Sequence, residues 1–468
     1  MKLFRRTLSA DCDTPVSVFS RLRGNGECFL FESAEGGEHW GRFSIIGFEP
    51  SQISIEQKDA LEIHHRDGTA SSQAGNDILT WIRQEVISQE AAEAVGDLPF
   101  SGGAVGYFSY DIIHRFEPGV EATSTDVPIA AFMLIDRFVI MDSLKGVMHL
   151  CVLENDTLEA TKLLNSMEQK LAENSAPEPM HLDSDYDHTA APKSHMAQAE
   201  YEAMVAQAKE YILAGDIFQV VLSQRFSAPL TCDPLSIYRA VRHINPSPYL
   251  FYLHVDDTVL IGSSPEILVR KEGNRAIVRP IAGTRPRGEN ENEDQVFEQE
   301  LLQDKKELAE HLMLVDLGRN DLGRVCEYGS ITVSESMGIE RYSHVMHIAS
   351  QVEGDLRHDV DALDLLAATF PAGTLSGAPK IRAMQIINEL ENKKRGPYGG
   401  CIGYISFGGE RMDTAIIIRT AVIQDDVINV QAGAGIVADS DPASEYQECV
   451  NKATAMFRSV ALAQEQSK

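Results

Sequence analysis

The chain is short of positive charge: 41 Lys and Arg stand against 70 Asp and Glu in 468 residues, a formal balance of −29. Binding to nucleic acid needs a cationic field to displace counterions from phosphates, and this balance argues against it. It argues equally against an anionic membrane surface. No apolar run reaches the roughly 18 residues of a membrane-span candidate. The opening MKLFRRTLSADCD carries basic residues but no apolar stretch, so no secretory signal is read there. The seven Cys stand singly at 12, 28, 151, 232, 326, 401 and 449, an odd number without CxxC spacing. That pattern indicates neither a disulfide framework nor a zinc site, and a reduced, cytoplasmic location is expected. The rest, 43% hydrophobic and 24% charged residues, is an ordinary globular composition in a chain long enough to bury a large core.

The first ~150 residues read mainly as strands and turns. Phe29–Ser33 (FLFES), Arg42–Phe48 (RFSIIGF) and Ala104–Asp111 (AVGYFSYD) are short, aromatic or β-branched, and bounded by Gly or turn residues. Leu158–Ala172 reads as a helix. From about Glu173 to Ser194 the chain carries three Pro, much Ser, Asp and His, and no periodic pattern, which reads as a linker. A long helix is expected from Gln198 to Ala214, stopped by Gly215. The expected organisation is an N-terminal lobe (1–172), a linker (173–194) and a larger domain (195–468). Gly102–Tyr107 (GGAVGY) resembles Gly399–Tyr404 (GGCIGY), a faint internal repeat. The expected fold class is α+β, a two-lobed sandwich of large, mostly antiparallel sheets with helices on the outer faces.

Two acidic helices draw attention. In Asp304–Asp321, Leu308, Leu312 and Val315 recur at helical spacing, and Glu307 and Glu310 share a face. In the segment from Asp441, Glu445 and Glu448 repeat that spacing, Ser444 is a candidate N-cap, and Lys452 lies four residues beyond Glu448. Each pair reads either as a solvated acidic face or as half of an oxygen site for a hard cation such as Mg²⁺. Glu266 ends the apolar run TVLIGSS, where desolvation would raise its pKa and suit it to donate a proton; a solvated turn carboxylate is the other reading. His347, with His344 one helical turn before it, reads as a packed core histidine or as a proton-transfer group. Arg419 ends a β-branched run and needs an anionic partner from protein or ligand.

Three segments imitate other motifs. Gly433–Ala438 fits G-x-G-x-x-A, but Asp439–Pro442 follows with turn chemistry where a dinucleotide fold needs a helix. Gly373–Lys380 lacks the spacing of a phosphate loop, although Pro379 suits the start of the following helix. Gly400–Gly403 resembles a glutaminase nucleophile loop, but its apolar flanks make Cys401 a buried strand residue.

Together the segments FQVVLSQ, NPSPYLFYL, GSSPE, PIAGTRPRG, KELAEHLMLVDLGRNDLGR, HVMHIAS, FPAGTLSGAPKIRAM, GPYGGCIGY and VQAGAGIVADSDPASEYQE resemble the motifs of chorismate-utilising enzymes, in order, from Phe29 to about Ser459. The resemblance is greatest to anthranilate synthase component I. It implies conversion of chorismate and ammonia to anthranilate and pyruvate with Mg²⁺, the ammonia coming from a separate glutamine amidotransferase subunit. By motif match Glu310 and Glu448 would hold Mg²⁺, with Glu307 and Glu445 beside them. Glu266, His347 and Thr374 would form the catalytic set. Tyr398, Arg419, Lys452, Gly283, Thr284 and the turn of Gly433, Ala434 and Gly435 would bind the substrate. Glu32 and Ser33, with Asn245, Pro246, Ser247, Pro248 and Tyr249, match the segments that bind tryptophan in feedback-regulated members; Phe31 stands where the family has Leu.

Two positions separate relatives. Those that add water place a Lys base where this chain has Gln219, and many aminodeoxychorismate synthases place a Lys where it has Ala282. Both favour anthranilate. Aminodeoxychorismate synthesis, and a tryptophan sensor without catalysis, remain the alternatives.

Overall fold

The structure is a computed structural model that describes residues 1–33, 41–58, 60–74, 76–90, 98–121, 127–182, 192–342, 345–391 and 393–466. Two twelve-stranded sheets dominate it, and every strand pair in both is antiparallel. In the first sheet, Cys28–Glu32 pairs with Tyr249–Val255, which leads through Thr258–Ser264 and Thr420–Gln424 to Val427–Ile436 and Gln219–Pro229. In the second, Ile281–Pro286 and Val345–Asp355 lead through Arg275–Val278, Ile267–Glu272 and Arg411–Ile416 to Cys401–Ser406 and Gly103–Phe108.

Each sheet takes strands from both sides of residues 173–194, so the expected boundary in the chain is not a boundary between sheets. The described part of that linker runs along the last helix, where His181 and Gln466 exchange two hydrogen bonds. Its end is not linker: Lys193–Ser194 is an edge strand on Phe226–Ser227.

The sheets pack face to face over an aromatic and aliphatic core that includes Phe29, Phe100, Tyr107, Phe138, Phe251 and Ile402. Helices cover the outer faces. Pro15–Leu22, Thr157–Glu173, Pro234–Ile244 and Pro442–Glu465 lie on the first sheet, and Lys305–Gly323 and Ala362–Thr369 on the second. Their starts follow local rules: Asp156, Asp233, Asp304 and Asp361 each accept backbone N–H bonds as N-caps. The cap of the last helix is Asp441, which takes the Ser444 N–H, and not Ser444 itself.

The two similar hexapeptides are neighbours. Gly103–Phe108 and Cys401–Ser406 pair antiparallel with Gly106 opposite Gly403. A Cβ on Gly403 would lie 2.0 Å from the Asp413 carbonyl oxygen, and one on Gly106 2.1 Å from that of Ala131. Close backbone approach therefore explains the shared glycines. Cys401 is buried in this pair, and burial pushes its thiol up to about 12, which leaves it inert. All seven Cys are free. Among the described residues no helix is long and apolar enough to cross a membrane.

Candidate active site

The chain crosses between the sheets twice at one place. Thr258–Ser264 passes through Glu266 into Ile267–Glu272, and Arg411–Ile416 passes through Arg419 into Thr420–Gln424. The crossings are tied together: Ile416 N–H donates to the Glu266 carbonyl at 3.0 Å, and Ser263 N–H to that of Arg419 at 3.2 Å. Arg419 is held at φ +49°, a left-handed conformation that a non-glycine residue keeps only where its surroundings demand it.

Burial pushes the Glu266 carboxyl up to about 8, against the pull of Thr374 and Arg419. Thr374 Oγ1 donates to both carboxyl oxygens, at 3.0 and 3.1 Å. Glu266 is therefore a desolvated carboxyl and not a solvated turn carboxylate. Arg419 is solvent-accessible along its side chain, yet it lies within electrostatic reach of Glu266, His347 and Tyr342. Among the described residues no carboxylate forms an ion pair with it. A guanidinium so placed is open to an anionic ligand.

His347 lies on a strand, Val345–Asp355, and not on the helix implied by its spacing from His344; His344 is outside the described residues. The β-branched and small residues around it pair with Ile281–Pro286. A bulge there places Gly283 at φ +67°. His347 Nδ1 lies 2.8 Å from the Gly283 carbonyl and 3.1 Å from Thr284 Oγ1. The carbonyl only accepts, so Nδ1 carries the proton and Nε2 keeps its lone pair. Burial lowers the imidazole pKa, which keeps the ring neutral.

The other predicted residues fall into two further groups of contacts, one reached through Gly283 and one around Gly433. A Cβ on Gly283 would come within 3.2 Å of Glu307 Oε2, and one on Gly433 within 2.7 Å of the Tyr398 hydroxyl. Lys452 Nζ donates to the Gly433 carbonyl at 3.0 Å and pairs with Glu448 at 2.7 Å. Gly433, Ala434 and Gly435 lie at the end of Val427–Ile436, opposite Ser223, Leu222 and Val221. Gln219 brings its amide nitrogen within 2.7 Å of the place a Gly435 Cβ would occupy. Ala282 is buried in its strand.

The two acidic pairs stand on the predicted helices, Lys305–Gly323 and Pro442–Glu465. Lys306, on the first helix, is within electrostatic reach of Glu445 on the second. Burial and Glu310 raise the Glu307 pKa; burial and Glu448 raise that of Glu445. Among the described residues no three His, Cys, Asp or Glu side chains share one ion-sized cluster. Each pair by itself offers carboxylate oxygens, the donors a hard cation takes, and carries a like-charge repulsion that a cation would relieve.

The tryptophan-type segments line a separate cavity of about 370 Å³, with Phe31, Glu32, Ser33, Pro248 and Tyr249 in its wall. Glu32 is buried and already bonded, accepting from the Tyr238 hydroxyl at 2.6 Å and from Arg242 Nε at 2.9 Å. Ser247 Oγ donates to the Ser264 carbonyl, Ser263 Oγ to that of Asn245, and Asn245 Nδ2 to that of Ala455. Asn245, Pro246 and Ser247 therefore shape the turn and do not line the cavity.

Sequence reasoning missed one anchor. Arg395 is buried, bonded twice to Glu391 and to the carbonyls of Leu375 and Val221, and lies 4.6 Å over the Tyr110 ring. It ties the Thr374 turn to the strand that carries Gln219. An Arg in the polar stretch NKKRG carries no local sign of burial.

The family described as chorismate binding enzyme matches residues 26–458. Anthranilate synthase component 1 of Acinetobacter calcoaceticus is 47% identical, covering 98% of this chain and 95% of its own. That of Aquifex aeolicus is 49% identical over 98% and 94%. The crystal structure of anthranilate synthase component I from Streptococcus pneumoniae superposes with a TM-score of 0.79 at 37% identity, covering 96% of this chain and 99% of that one. The menaquinone-specific isochorismate synthase of Escherichia coli, 19% identical with a TM-score of 0.72, shares the fold. The chain belongs to the chorismate binding enzyme family, among the anthranilate synthase component 1 proteins.

Proposed function

We propose that this protein converts chorismate and ammonia to anthranilate and pyruvate, as the large subunit of an anthranilate synthase, a lyase, that receives ammonia from a glutamine amidotransferase subunit. The observation that carries the reading is the pairing at the crossings: a carboxyl kept protonated at neutral pH beside a guanidinium with no carboxylate ion pair among the described residues. Chorismate is a dianion, and a chain at −29 repels it at long range. Arg419, Tyr398, Lys452 and the backbone of Gly433 to Gly435 supply the local attraction.

Ammonia forms the C2–N bond, the ring double bonds shift, and the C4–O bond breaks. Glu266 gives its proton to the departing oxygen, which leaves as water. In the second step the C3–O bond breaks, the C2 hydrogen passes to the enolpyruvyl methylene carbon, and pyruvate leaves. His347, neutral with Nε2 unprotonated, assists this proton movement. Glu310 and Glu448, with Glu307 and Glu445 beside them, would hold Mg²⁺, which when bound draws electrons from the ring through its carboxylate. Water needs a base to attack, and Gln219 is none, whereas ammonia is already nucleophilic; this disfavours isochorismate formation. Tryptophan inhibition through the cavity at Glu32, Ser33, Pro248 and Tyr249 belongs to the same proposal.

Anthranilate fluorescence is the assay, with chorismate, ammonium and Mg²⁺, with and without tryptophan. Anthranilate is expected. Aminodeoxychorismate in its place, or tryptophan binding without turnover, would remove the proposal.

A further inference from the structure

The reaction leaves Glu266 ionised after each first step. Its proton departs in water, while ammonia's surplus hydrogen leaves the C2 nitrogen as a proton, away from C4. The carboxyl must be reloaded before the next turnover. A second space touches it. A cavity of about 50 Å³ is lined by Glu266 and Thr374, by Leu314, Leu317 and Ala372, and by Asp321. None of Arg419, His347, Tyr398 or Gly433 lines it, so it lies away from the groups that face the substrate. It has room for ordered water.

Asp321 is the other carboxyl in this cavity. It sits near the end of the Lys305–Gly323 helix with its side chain 14% exposed, and Lys380 Nζ donates to it at 2.8 Å. Arg324 and Glu117 also act on it, and those two pair with each other at 2.9 Å. Burial raises its pKa from the ordinary aspartate value, against the pull of Lys380.

We propose that Asp321 and the water-sized cavity it shares with Glu266 form a rear proton relay, through which solvent returns to Glu266 the proton lost at C4. This rests on the reading of Glu266 as the acid of the ammonia-dependent reaction. The balance closes: one proton leaves Glu266 in water, one leaves the C2 nitrogen to solvent, and one returns from solvent through Asp321.

The test separates a first turnover, which uses the proton already on Glu266, from repeated turnovers. Asp321→Asn is expected to form anthranilate at the wild-type rate when enzyme exceeds chorismate, while steady-state kcat falls about tenfold or more. Added imidazole buffer at fixed ionic strength should restore kcat, and Asp321→Glu should stay near wild type. Should Asp321→Asn fold poorly with Lys380 unpaired, Asp321→Asn/Lys380→Met removes both charges and is expected to show the same split. Loss of both rates together, an unchanged kcat, or a defect that buffer does not relieve overturns the relay alone. A wild-type chain that forms no anthranilate overturns the functional reading and the relay with it.

Discussion

Replacing Glu266 with Gln should stabilise the fold while it slows turnover, and the gain should depend on pH in a specified way. The Thr374 hydroxyl donates to an amide oxygen as it does to a carboxylate, so packing is kept. The carboxyl moves from an ordinary 4.5 in the unfolded chain to about 8 in the folded one. Below the lower value it is neutral in both states, and the two proteins should be equally stable apart from a constant. Between the two values unfolding releases one proton, so the wild type loses about 1.4 kcal/mol per pH unit relative to the variant. Across the window of about 3.5 pH units this amounts to at most about 5 kcal/mol. Solvent reaches the half-buried carboxyl and narrows the window, so a few kcal/mol is the working figure. Above about pH 8 the difference should level off. Urea unfolding of both proteins at several pH values measures it, since all other titrations cancel in the comparison. Parallel stability curves between about pH 5 and 8 would refute the claim that burial holds this acid protonated. Turnover should fall by about 10²–10⁴.

Thr374→Val removes a hydrogen bond that favours the charged carboxylate, so the alkaline limb of kcat/KM should move up by about one pH unit, read at fixed free ammonia. Glu448→Ala should abolish turnover together with Mg²⁺-dependent chorismate binding, measured by calorimetry; unchanged activity would remove the metal assignment. Arg395→Met alone should cost about 3–5 kcal/mol in denaturant unfolding, because Glu391 stays buried with only Ser223 donating to it, and adding Glu391→Leu should restore part of that. Glu32→Ala strips the acceptor from Tyr238 and Arg242, and should lose about 1.5–3 kcal/mol of stability and weaken tryptophan inhibition.

Much of this was legible because it is local. The 3.6-residue spacing of Leu308, Leu312 and Val315 places Glu307 and Glu310 on the helix found there. The short aromatic and β-branched runs at Phe29 and Phe43 are strands. Glu266 could be picked out because an apolar strand runs into it. His347 could not be placed, since the apolar run HVMHIASQV fits a helix or a buried strand until its partner, Ile281–Pro286, is known. Glu32 illustrates a second blind spot. Its two partners lie more than two hundred residues away, and no local pattern announces them. The Gly106 and Gly403 segments read as a faint internal repeat, and their shared glycines have a steric cause in the close backbone approach of the strands they form.

The interleaving of the sheets also bears on how the chain is made. Cys28–Glu32 pairs on one edge with the nearby Phe43–Phe48 but on the other with Tyr249–Val255, and Gly103–Phe108 pairs with Ala130–Ile135 but also waits for Cys401–Ser406. A polypeptide emerging from the ribosome must therefore carry each of these strands with one open edge until the later partner has been synthesised. Such edges invite pairing with other chains. Late closure of such long-range pairs favours slow maturation after synthesis.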